Sequence, residues 1–195
     1  LAQDFDSRAD GYSVGGFAGA GAGVTNSIES ESKVQIGEDN SINATDIVIY
    51  ALNQAEKEHF DINVVAGTAS LANVSAIDSK TDLKNFGSSV LIEQGTSLTV
   101  SGSITSPGAL KIQTKNDFSL IDAVNMTTVS GIGINAANSY VDADTNSSIT
   151  LSGVTIENVY GDVEIASKTD GMIASDLQLS VTALYSGSGG GSYST

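Results

Sequence analysis

Apolar and polar residues alternate along most of this chain with a spacing of two. Val34/Ile36, Ile42/Ala44, Ile47/Ile49, Ile62/Val64/Ala66, Leu98/Val100, Leu110/Ile112, Phe118/Leu120, Ile132/Ile134 and Leu177/Leu179/Val181/Ala183 all follow it. In an extended backbone these residues share one face, with Gln35, Asn43, Thr99, Lys111 and Gln178 on the other. Stretches rich in Gly, Asn, Asp and Ser interrupt the pattern roughly every five to twelve residues, the spacing of a fold with many short strands. Helical periodicity is almost absent. Its best candidate, Leu52-Asn53-Gln54-Ala55-Glu56-Lys57-Glu58, is short and polar and is expected to be a loop excursion. The fold class predicted is all-β.

The alternation recurs in three blocks. The first is Ser32-Lys33-Val34-Gln35-Ile36-Gly37, then Ser41-Ile42-Asn43-Ala44, then Asp46-Ile47-Val48-Ile49. The second is Ser89-Val90-Leu91-Ile92-Glu93-Gln94-Gly95, Ser97-Leu98-Thr99-Val100 and Ala109-Leu110-Lys111-Ile112. The third is Ser148-Ile149-Thr150-Leu151-Ser152-Gly153, Thr155-Ile156 and Gly161-Asp162-Val163-Glu164-Ile165. Anchored on Val34, Val90 and Ile149, the steps are 56 and 59 residues. Small-residue segments separate the blocks at 15–23, 66–76, 130–138 and 186–192. Both ends of the chain thus fall in a similar phase, as in a slice through a tandem array. The Gly-Ser run at 186–192 also has the composition of a flexible linker.

A sandwich or closed barrel also uses short alternating strands. Repetition, mid-sized aliphatic inward residues and a single proline, Pro107, favour a right-handed parallel β-helix, or β-solenoid, over 1–195 with about three degenerate repeats. There each strand pairs with its equivalents above and below, and inward Val, Ile and Leu stack. Coils of roughly twenty residues are usual, so a step near 57 is expected to hold two to three of them. Gly, Ala and Ser fit where two walls approach closely. The end coils expose sheet edges and carry no polar cap, so flanking coils or another copy of the chain are expected to cover them.

Composition narrows the function. The chain carries 23 acidic and 8 basic residues, a formal charge of −15, and Arg8 is its one arginine. Nucleic acid needs clustered Lys and Arg to displace phosphate counterions, and an anionic bilayer needs the same. Neither partner is expected. Cysteine is absent, which removes disulfides and thiolate metal sites. The longest apolar run, Ile47-Val48-Ile49-Tyr50-Ala51-Leu52, is far short of a membrane span. The chain starts at Leu1 with no basic, apolar leader, and is expected to be a mature or excised piece.

The form Ser-x-Val-x-Ile-Gly-x-x-x-x-Ile-x-Ala, then Asp-Ile-x-Ile-x-Ala and an Ala/Gly-rich stretch, occurs at Ser32 to Ala51, and Gly161 to Ala166 echoes its second half. It resembles the repeats of large bacterial filamentous exoproteins, the filamentous haemagglutinin-like and leukotoxin-type filamentous adhesins. The resemblance implies a secreted, cell-surface β-helix used in adhesion or in building a fibre, with flanking coils, copies of itself or surface glycans as partners. It brings no catalytic residues. Ser103 to Gly108, an insertion containing Pro107, departs from the pattern.

Candidate chemistry is sparse. Asp142-x-Asp144-x-Asn146 places oxygen ligands on alternate residues like the first half of a calcium loop. Ser147 replaces its turn glycine and Gly153 its closing acid, so the competing expectation is a polar turn. His59, the one histidine, lies in a charged stretch and is expected to be solvated. The glycines of Gly19 to Gly23 lack the Lys-Ser/Thr of a phosphate loop and are expected to serve backbone packing. The rival to a structural role is a carbohydrate-active β-helix, a polysaccharide lyase or glycosidase, working through acids such as Asp46, Asp61, Asp122, Asp162 or Asp176, here expected on turns.

Overall fold

The computed structural model describes residues 2–5, 7–57, 64–158 and 160–195. Among them there is no helix, and so none long and apolar enough to cross a membrane. Ten strands follow in order: β1 Ala2–Phe5, β2 Ala9–Ala18, β3 Gly21–Ile36, β4 Ser41–Ala44, β5 Asp46–Lys57, β6 Val64–Ile92, β7 Ser97–Val100, β8 Gly108–Leu151, β9 Thr155–Asn158 and β10 Gly161–Ser194. All pairings between these strands are parallel. Seven strands form one sheet, while β4, β7 and β9 form a second of three.

The ladder matches the blocks residue for residue. Val34 pairs with Val90 and Val90 with Ile149. Ile42 pairs with Leu98 and Leu98 with Ile156; Ile47 pairs with Leu110 and Leu110 with Val163. Partners lie 55 or 56 residues apart between β3 and β6, 60 or 59 between β6 and β8, and 53 between β8 and β10. One repeat step is therefore one pass of the chain, which corrects the expectation of two to three short coils per step.

Each pass runs out and back. Leu110 and Ile112, near the start of β8, share a core with Ile149 and Leu151 at its end. Further along, Phe118 and Leu120 meet Val141 and Ala143, and Val124 and Met126 meet Ala137. Two long walls thus close on a narrow interior, and the small residues near 130–138 round the far end. This explains strands of 29, 44 and 34 residues where short ones were expected. The hydrogen bonds run to neighbouring passes, so a bend within a pass breaks no ladder bond. The run at 186–192 is likewise strand, paired along β8, which corrects the linker alternative. Leu52 to Lys57 is strand as well: Asn53, Ala55 and Lys57 continue the buried phase of Ile47, Ile49 and Ala51.

At the near end the return wall turns into the short third strand. Asp39, Gly95 and Gly153 take left-handed φ values of 56°, 78° and 58° at matching places in three passes. Asp39 N donates to Gln94 O and Gly95 N to Gly153 O. A Cβ on Gly95 would sit 2.0 Å from Asp39 Oδ1, so glycine answers both the backbone sign and the space. The Ser103 to Gly108 insertion stands out here as a loop closed by an antiparallel bridge between Ser103 and Ser106.

Midway along the return wall the register slips, between Glu29 and Glu31 in β3 and between Leu83 and Phe86 in β6. Such bulges disrupt the ladder locally. Asn53 reaches across the interior to this place. Its Nδ2 donates to Ser30 O (2.9 Å) and Gly87 O (3.0 Å), and its Oδ1 accepts from Ser30 Oγ (2.9 Å). Asn116, beside it in register, donates to Phe86 O (3.2 Å) and Asn146 O (2.8 Å). Asn53→Ala strands these buried carbonyls and is expected to cost about 1–3 kcal/mol, read as a lower urea midpoint at unchanged slope.

Candidate functional site

The most heavily connected polar group is buried. Lys57 and Asp122 form an ion pair with both side chains fully inaccessible. Lys57 Nζ also donates to Thr81 Oγ1 (2.9 Å). Asp122 Oδ1 accepts from Ser79 Oγ (2.8 Å), and Oδ2 from Ser139 Oγ (2.9 Å). From Ser139 the chain of hydroxyls continues to Ser175 (2.6 Å) and then to Ser192 (2.7 Å). The strands explain the placement. Lys57 ends the inward phase of β5, and Asp122 follows Phe118 and Leu120 in the inward phase of β8. Ser79 and Thr81 face them from β6. The carboxylate is saturated and closed to solvent, so this cluster ties wall to wall and pass to pass.

Sequence reasoning put Asp122 on a turn and Lys57 in a charged loop; both are corrected to strand interior. Asp46, Asp162 and Asp176 are also on strands. Asp46 opens β5, and its Oδ1 accepts from Ala109 N (3.0 Å). Asp162 lies on the far side of Ala109, two strand spacings or about 9.6 Å from Asp46. Asp176 accepts from Gln178 Nε2 (3.2 Å). Asp61 and His59 lie outside the described residues.

Asp142, Asp144 and Asn146 sit on β8, which corrects the expected polar turn. Alternate residues of a strand are about 6.6 Å apart, so the backbone from Asp142 to Asn146 runs straight instead of wrapping one point. Asp142 accepts from Tyr140 Oη (3.4 Å) and Thr195 Oγ1 (2.9 Å). Asn146 O takes the Asn116 amide described above. Among the described residues no three His, Cys, Asp or Glu side chains gather within reach of one ion.

The outward rows carry the charge, linked pass to pass. Gln35 Nε2 donates to Glu93 Oε1 (2.7 Å), Asn85 Nδ2 to Glu29 Oε1 (2.7 Å) and Gln113 Nε2 to Glu164 Oε1 (2.7 Å). Lys111 lies 3.8 Å from Glu164. Lys115 contacts Asp117 at 2.7 Å and Asp170 at 3.4 Å, and Lys168 contacts Asp170 at 2.6 Å. The Asp117 hydrogen bond raises the Lys115 pKa above the ordinary lysine value. The Lys168 hydrogen bond lowers Asp170 below the ordinary carboxylate value. Lys80 is raised by its bond to Asp82 and lies over the Tyr140 ring at 5.4 Å.

Beside the bulge these rows open into a polar hollow of about 380 Å³, lined by Glu29, Glu31, Asn85, Ser89 and Asn146 among others. Its amides and carboxylates suit hydroxyl-rich ligands, and no motif announced it. The register slip makes it, and a slip is invisible to a period-two reading. Compared with family models, with curated proteins and with solved structures, the chain matches none.

Proposed function

We propose that this chain is a stretch of right-handed parallel β-helix that serves as a structural and adhesive element of a secreted bacterial surface filament. The observation that carries the reading is the all-parallel ladder from pass to pass, in which each pass offers the next a strand to build on. Right-handedness follows from the strong preference of parallel crossover connections for that hand. The outermost pass supports extension: Leu110 and Ile112 are fully buried, whereas their partners Val163 and Ile165 are about half exposed. A further pass, from flanking chain or another copy, would cover them.

Adhesion in this reading is multivalent. The polar hollow binds surface glycans weakly, and repetition along a filament makes the attachment firm. The test pairs glycan-array binding, by the single chain and by the chain coupled densely to beads, with a polysaccharide panel assayed for turnover with and without calcium. Retention by the beads with no turnover is expected. Cleavage of any polysaccharide would replace this role with the carbohydrate-active one, and beads that bind no glycan would remove the adhesive half.

A further inference from the structure

Among the described residues, charge is absent from one edge of the molecule. Segments 11–28, 64–77, 123–141 and 177–195 contain no Asp, Glu, Lys, Arg or His, although the chain as a whole carries 23 acids. These are the portions of the four passes that round the far end, and the ladder sets them side by side. Phe17 pairs with Ala72, Ala72 with Ile132, and Ile132 with Tyr185. Large apolar side chains point outward there. Val14, Phe17, Leu71, Ile132, Leu184 and Tyr185 are between 60% and 91% exposed. A hollow of about 360 Å³ lies next to Phe17 and Val74.

We propose that this uncharged edge is where two copies of the chain pair side by side. Charge decides the occupant. With a formal net charge of −15, two copies repel wherever their acidic rows approach, and the far edge is the face on which they meet without that cost. The six side chains together expose on the order of 800 Å², about what one partner of a standard interface buries. A two-fold arrangement sets each copy's projecting residues against the other's hollow, a closed contact that leaves the ladder ends free. The proposal extends the filament reading and fails separately from it: polysaccharide turnover would remove that role and leave the pairing intact.

The test needs no ligand: the mass of the 195-residue chain in solution is measured by light scattering from about 1 to about 200 μM, at low and moderate salt. A dimer that strengthens as salt screens the acids is expected. Ile132→Asp/Leu184→Asp, with its circular dichroism unchanged, is expected to return it to monomer with at least a tenfold weaker association. A chain without cysteine also permits a second measurement. Ile132→Cys is expected to cross-link to its twin on mild oxidation, and Asp144→Cys, on the charged wall, is not. A monomer at every concentration overturns the proposal, even if the chain binds an octyl surface, because the edge then serves a neutral surface. Association that survives the double substitution also overturns it, since the copies then meet through their strand ends.

Discussion

Asp122→Ala is expected to lower the unfolding free energy by about 3–5 kcal/mol, because it leaves the Lys57 ammonium buried with no counter-charge. Ser79 and Ser139 lose their acceptor in the same step, which adds to the loss. The paired substitution Lys57→Met/Asp122→Leu is expected to recover most of it, since an apolar pair of similar volume carries no desolvation penalty. Urea titrations of the three proteins check this. A single substitution costing less than about 1 kcal/mol would mean that the pair is solvated, contrary to the burial described. Full recovery in the double variant would show that the ion pair specifies which residues face each other across the walls, with little net gain in stability.

Phe86→Ala is expected to cost a similar amount, about 3–5 kcal/mol, by a different route. The Phe86 ring is fully buried and meets Phe118 edge-on, with centroids 6.2 Å apart and planes at 82°. Few large side chains fill this interior, so neighbouring residues cannot collapse into the space left behind. Phe86 is also the residue at which β6 resumes its register with β8 after the bulge. Phe86→Leu retains much of the volume and is expected to lose less than half as much. Thermal unfolding followed by circular dichroism distinguishes the two; equal losses would point to the ring–ring contact over the volume.

Much of this fold was legible. Because strand parity is rigid, the spacing of two assigned Ile47, Ile49, Leu110 and Ile112 to the interior. The block alignment found true neighbours because parallel in-register pairing places like beside like, as for Val34, Val90 and Ile149. The steps of 56 and 59 residues were legible, but not that each is a single pass, since a bend in a strand whose partners are other passes leaves no trace in the alternation. Lys57 and Asp122 were legible in part. Each occupies the inward phase of its strand, and a charge in that phase calls for a partner inside. The calcium reading of Asp142, Asp144 and Asn146 rested on residue types at alternate positions, a pattern that a strand produces as readily as a loop. The polar hollow needed the register slip, which a pattern of single residues does not encode.

The narrow, two-walled pass has a mechanical consequence. From Gly108 to the far turn near Ser130 the wall spans roughly 70 Å, whereas facing sheets are separated by about 10 Å and the outer side chains bring the thickness to about 20 Å. In the proposed filament, passes piled in this shape would make a tape. The two bending stiffnesses of such a section differ by the square of its width over its thickness, so with the dimensions above it would flex across its faces on the order of tenfold more easily than across its edges. Flow or contact from the side would curl it flat against a surface, laying a whole broad face down at once.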